Sequence, residues 1–202
     1  MFRRASNEAL LNKITSYCAY IEYDDKWISV VVLTKKYAAT TLHCLPQAEL
    51  GSSVILCDSS MNQLHTVIHG INRICDYVVL KNVDDEFLEA PYLVCPESLD
   101  KYVVAGYAFG EKKLSYRLGQ VSSLCATGEG YFYGDSGGLP LFSGGGVFYA
   151  RNGALMGIAR GNQHHGRETE KYGDVLEMIS VQSMMVFIKC FGDNPFSVGT
   201  YG

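Results

Sequence analysis

Short apolar runs rich in Val, Ile, Tyr and Thr alternate with polar turns along most of this chain, the pattern of a β-protein. In the first half the pattern predicts strands over 16–22, 27–33, 37–41, 53–57, 63–68 and 77–80. In the second half it predicts strands over 102–108, 114–124, 139–142, 146–150, 154–159 and 172–177. Between the halves, the stretch 86–101 carries Pro91 and Pro96, which break strands, and reads as a connection. Ser6 to Ile14 reads as a short helix capped by Ser6, and Ser180 to Phe191 as a second helix stopped by Gly192. The glycine run 144–146 and Asn152-Gly153 read as hairpin turns, and the tail to Gly202 as loose.

Composition narrows the classes. At 202 residues with 48% hydrophobic content, one domain made of two subdomains is a natural size. The net charge of −4 argues against broad attraction to nucleic acid, and Arg3-Arg4 and Lys112-Lys113 read as solvated surface. No apolar run reaches the ~20 residues needed to span a bilayer, so no membrane partner is expected. The N-terminus lacks the apolar region of a secretory signal. The seven cysteines (18, 44, 57, 75, 95, 125 and 190) form an odd set without a Cys-x-x-Cys pair. That predicts free thiols in a reducing compartment, hence a cytoplasmic protein with no metal and no cofactor. His164-His165 reads as a solvated pair rather than a metal site.

Three separated points carry chemistry. Gly134-Asp135-Ser136-Gly137-Gly138 sets a serine between glycines, where the chain turns sharply and main-chain N–H groups are approachable. Thr40-Thr41-Leu42-His43-Cys44 puts a histidine just past an apolar strand. Asp76-Tyr77-Val78-Val79-Leu80-Lys81 puts an acid at the entrance of another, where a carboxylate needs a partner and an imidazolium is a suitable one. Asp58, after Ile55-Leu56-Cys57, is the reserve acid. Taken one by one, each is also a common turn residue. Their order and local sequence resemble the chymotrypsin-like serine proteases. The resemblance runs from about residue 15 to 192. It includes Tyr102 to Tyr107 as an opening strand, Leu155 to Gly161 as the strand lining the primary specificity pocket, and the closing helix.

The resemblance implies two six-stranded antiparallel β-barrels with a short N-terminal helix and a C-terminal helix. The helix and first barrel would occupy 1–90, the connection 91–100, the second barrel and closing helix 101–192, and the tail 193–202. Ser136 would attack the scissile carbonyl, His43 would move the proton, Asp76 would orient His43, and the amides of Gly134 and Ser136 would form the oxyanion hole. Gly130, Tyr131, Ala159, Arg160 and Gly161 would shape the substrate pocket. Glycine at 130 favours a large apolar or aromatic P1 side chain, with Glu129 and Arg160 able to neutralise each other.

The 33-residue spacing from His43 to Asp76, the 60 from Asp76 to Ser136 and the unpaired cysteines are similar to the compact serine main proteases of positive-strand RNA viruses. That implies a polypeptide substrate, including the enzyme's own polyprotein. Two positions depart from that group: Ala159 stands where many carry a pocket histidine, and Tyr131 where many carry threonine. No apolar activation sequence precedes the first barrel, so Asp135 needs another partner or a turn network. The alternatives are an extracellular trypsin-like enzyme trimmed of its signal and propeptide, and a catalytically silent binding module on the same fold.

Overall fold

The computed structural model describes residues 2–84, 86–107, 113–124, 131–137, 142–163 and 175–199. Two closed six-stranded antiparallel barrels follow one another along the chain. The first is built from β1 (Cys18–Tyr23), β2 (Lys26–Val32), β3 (Tyr37–Thr41), β4 (Ser53–Asp58), β5 (Gln63–Asn72) and β6 (Tyr77–Asn82). Its strands run β5-β4-β1-β2-β3-β6, and a β5–β6 pairing closes the ring. The second contains β7 (Lys101–Gly106), β8 (Ser115–Ser123), β9 (Tyr131–Gly134), β10 (Gly146–Tyr149), β11 (Leu155–Gln163) and β12 (Val175–Ser180), closed in the order β10-β11-β12-β9-β8-β7.

The alternating pattern locates most strands, and three differences matter. Tyr131–Gly134, outside every strand expected from the sequence, form β9, because Tyr131 and Phe132 are apolar enough to bury between β8 and β12. Of the run predicted over 139–142, only Phe142 lies within the described residues; it sits outside any strand, immediately before a turn. The tail is not loose: β13 (Phe196–Val198) adds to the first barrel, parallel to β5 at Gly70, Ile71 and Asn72.

Phe196 explains that last difference. Its ring is 2% exposed and stacks on Phe187 and Phe191 of helix α2 (Val181–Phe191), with His69 edge-on. A Cβ on Gly70 would come within 2.2 Å of that ring, so the strand beneath must be bare. Helix α2 begins at Ser180, whose hydroxyl accepts from the Gln182 N–H, and ends at Gly192 in the left-handed region (φ 57°).

Helix α1 spans Phe2–Thr15 and starts before Ser6, which lies inside it. It rests on the second barrel, where Lys13 Nζ donates to the Asn152 carbonyl and Leu10 and Ile14 cover Gly153. One buried cluster joins the two barrels, with Ile14, Val31, Tyr77, Val103, Phe148, Ile179 and Phe196 among its members. At the seam, the Tyr107 N–H donates to Ser29 Oγ (2.8 Å). Six cysteines are free thiols among the described residues; Cys125 lies outside them.

Phe196→Ala is expected to lower unfolding free energy by about 3 kcal/mol, the usual cost of emptying a buried aromatic site. Urea denaturation measures it, and an unchanged midpoint would show that the Phe196 ring does not hold β13 on the barrel.

Candidate active site

His43 lies on the single helical turn Leu42–Cys44 that follows β3. Asp76 stands just before β6. Because β3 and β6 pair with Thr41 opposite Tyr77, the register brings the two residues side by side. Three hydrogen bonds lock them. Leu42 N–H donates to the Asp76 carbonyl (3.0 Å), His43 N–H donates to Oδ1 (2.9 Å), and His43 Nδ1 meets Oδ2 at 2.7 Å. Asp76 holds a left-handed φ of 56°, a conformation that costs energy outside glycine and persists where surrounding bonds enforce it.

Arg160 arrives from the second barrel. Its Nε donates to Asp76 Oδ2 at 3.0 Å, its Nη1 pairs with Glu177 Oε2 on β12, and its guanidinium lies 4.7 Å above the Tyr131 ring centroid. The β11–β12 register shifts between Ala159 and Gly161, a bulge that sits at Arg160. Ser143 Oγ donates to the Arg160 carbonyl (2.8 Å). His43, Asp76, Ser143, Arg160, Gly161 and Glu177 line one cavity of about 430 Å³ together with Arg73 and Ile74. His43 and Ser143 also share the wall of the neighbouring cavity, next to Trp27.

Electrostatics follows the geometry. The hydrogen bond to Asp76, with help from Cys44, pushes the His43 imidazole up to about 10 against partial burial. Burial alone would raise the Asp76 carboxyl. The His43 ring, its charge and its N–H, with the Arg160 guanidinium, instead hold it below the usual carboxylate range. Asp58 takes no part: it accepts from Ser60 N–H, Asn62 N–H and Asn62 Nδ2 in the β4–β5 turn.

Ser136, the serine expected as nucleophile, is not among the described residues that line either cavity. It is 9% exposed, packed against Tyr102 and Gly119 of the second barrel. Its hydroxyl donates to the Gly137 carbonyl (2.9 Å) and pairs with Tyr102 Oη at 2.8 Å. Its N–H, expected in the oxyanion hole, also points to Tyr102 Oη (3.3 Å). Gly134 pairs with Leu176 and Val121, and a Cβ there would lie 2.0 Å from Tyr102 Oη. The glycine therefore makes room for the Tyr102 side chain. Asp135 closes a main-chain ladder with Gln120, accepting its N–H on Oδ1 (2.7 Å) and donating its own N–H to the Gln120 carbonyl (3.1 Å).

Among the expected pocket residues, Arg160 and Gly161 line the cavity, Tyr131 supports Arg160 from below, and Ala159 is fully buried. Gly130, Glu129 and the His164-His165 pair lie outside the described residues. Sequence reasoning missed Ser143 and Glu177. The signal for Ser143 was a second Ser-Gly-Gly, directly ahead of the β10 hairpin that leads into the pocket strand. Gly144 is forced by position: a Cβ there would sit 2.3 Å from Thr40 Oγ1 and 2.2 Å from the Ser29 carbonyl, and its φ is 85°. That contact seats Ser143 against the strand that ends at His43.

No family model and no curated protein matches the chain. Solved structures do. The serine endoprotease from Yersinia pestis superposes with a TM-score of 0.74 at 17% identity, over 91% of this chain and 65% of that one. The HtrA-type protease AlgW with a tripeptide superposes at 0.73 and 18% identity, over 92% of this chain and 63% of that one. The fold is that of the trypsin-like serine proteases. At these identities the likeness concerns the fold, and this chain spans less than two-thirds of the length of either protein.

The imidazole is raised in the folded state, so the His43–Asp76 pair adds stability that is full below the ordinary imidazole value of 6.5 and fades as pH climbs towards about 10. The stability difference between wild type and His43→Ala, followed by urea denaturation, should shrink across that window. A difference that stays flat from pH 6 to 10 would show that the pair does not form.

Proposed function

We propose that this chain is a serine endopeptidase in which Ser143, His43 and Asp76 act together. The observation that carries the proposal is that Ser143, whose hydroxyl donates to the Arg160 carbonyl, lines the cavity that holds His43 and Asp76. Ser143 attacks the scissile carbonyl, and its proton passes to His43 Nε2. Asp76, on Nδ1, fixes the tautomer and stabilises the imidazolium. In this reading the main-chain N–H of Ser143 donates to the tetrahedral oxyanion. Collapse of that intermediate releases the amine with the proton from His43, and water then hydrolyses the acyl-enzyme by the same route. His43 must be neutral to begin, so the raised imidazole predicts turnover that increases towards alkaline pH.

Arg160 and Glu177 neutralise each other in the cavity wall, which supports an uncharged P1 side chain. The finer reading is a cytoplasmic protease that cuts a polyprotein, including its own. It rests on the short His43–Asp76 spacing and on free thiols among the described residues.

Labelling with a fluorophosphonate, read by intact mass, tests the nucleophile. Wild type and Ser136→Ala should each take one adduct and Ser143→Ala none, with turnover of Ser143→Ala down at least about a thousandfold. Ser136→Ala should instead lose about 1–3 kcal/mol of stability, because the buried Tyr102 hydroxyl keeps the main-chain N–H but loses the Ser136 oxygen that accepts its proton. An adduct on Ser143→Ala that disappears in Ser136→Ala would return the role to Ser136.

A further inference from the structure

Asp76 Oδ2 is shared. It accepts from His43 Nδ1 at 2.7 Å and from Arg160 Nε at 3.0 Å, and the two donors come from different barrels. Arginine stays charged at every accessible pH, so one of Asp76's two partners is a permanent cation. A carboxylate already neutralised by a guanidinium stabilises an imidazolium less than a free one does. Arg160 is in turn divided: its Nη1 faces Glu177, whose side chain is 5% exposed. The chain of charges thus runs His43, Asp76, Arg160, Glu177, from an accessible ring to a buried acid.

We propose that Arg160 is a positioning residue that sets the basicity of His43 through Asp76, and that Glu177 sets how strongly Arg160 does so. Arg160 draws Asp76 away from His43 electrostatically and keeps the imidazole available as a base. Glu177 draws Arg160 back. The same residue holds the Ser143 hydroxyl through its carbonyl, so the bulge at 160 fixes the geometry of one reacting group and the charge of the other. The other charged groups facing His43 do not replace this control. Asp24 and Lys26, across the second cavity, oppose one another in sign. Arg73 stands on the far wall of the first cavity, engaged with Ser197, and the Cys44 thiol is adjacent in the chain.

The inference rests on the proposed role of His43 only for its catalytic consequence, so the test reads the imidazole directly. The His43 Cε1–H is followed by NMR across a pH titration in wild type, Glu177→Gln and Arg160→Met/Glu177→Gln. The last two share a background with no stranded buried acid and differ only in the arginine charge. Glu177→Gln is expected to lower the His43 pKa relative to wild type. Adding Arg160→Met is expected to raise it again by about one pH unit, the scale of a nearby charge. Arg160→Lys in the Glu177→Gln background should fall between Glu177→Gln and Arg160→Met/Glu177→Gln, since it keeps charge without the guanidinium fork. If Arg160 only braced Asp76, its removal would loosen the His43–Asp76 bond and send the imidazole down towards 6.5. An equal or lower value in the double variant than in Glu177→Gln therefore overturns the proposal. The acid limb of the pH–kcat/KM profile should move with the NMR value. A limb that stays put while the NMR value moves would count against His43 as the base and leave the Arg160 effect intact.

Discussion

Everything at the cleft hangs on one carboxylate that two barrels share. Asp76 is supplied by the first barrel and is mostly buried, so burial alone would favour its neutral form. His43 from its own barrel and Arg160 from the other reverse that preference. Docking of the two halves puts both donors on that carboxylate and offsets the cost of burying its charge. Removing either donor from such a centre is far worse than never having had the ion pair, because the remaining charge keeps its desolvation penalty.

Close packing prepares this centre. Gly144 has no side chain, so the loop that carries Ser143 slides against Thr40 and Ser29 of the first barrel. Ser29 in turn accepts the Tyr107 N–H, and the buried cluster running from Ile14 to Phe196 glues the barrels on the opposite side. The seam is thus polar where chemistry is proposed and apolar elsewhere. A rigid interior of this kind leaves the reacting groups little freedom to drift.

His43 and Asp76 were legible in the sequence because each lies at the end of a strand with its own apolar signature, and pairing of β3 with β6 does the rest. The surroundings of Ser136 were not legible, for a physical reason. A turn rich in glycine around a serine states that the backbone comes close to something, not what that something is. At Gly134 it is the Tyr102 side chain; at Gly144 it is the neighbouring barrel. Local sequence carries no information about which face of a closed barrel a turn will meet. Glu177 was invisible for a related reason, since an acid inside an apolar strand acquires meaning only when Arg160 arrives from the strand beside it. Tyr131–Gly134 and Phe196–Val198 were too short to announce themselves as strands, and both are fixed by tertiary burial rather than by alternation.

The parallel pairing of β13 with β5 bears on how the molecule comes into being. Residues 70–72 emerge early in synthesis, yet the neighbours they need, 196–198, are made only after the whole second barrel. Contacts this distant in sequence slow folding, because a long loop must be closed before they yield anything. The first barrel is then obliged to wait with one edge unsealed and with Gly70 exposed where the Phe196 ring will later sit. An unsealed edge is where strands of other chains add. This later-made segment therefore acts as a closing stitch, ending the interval in which a nascent copy is open to its neighbours.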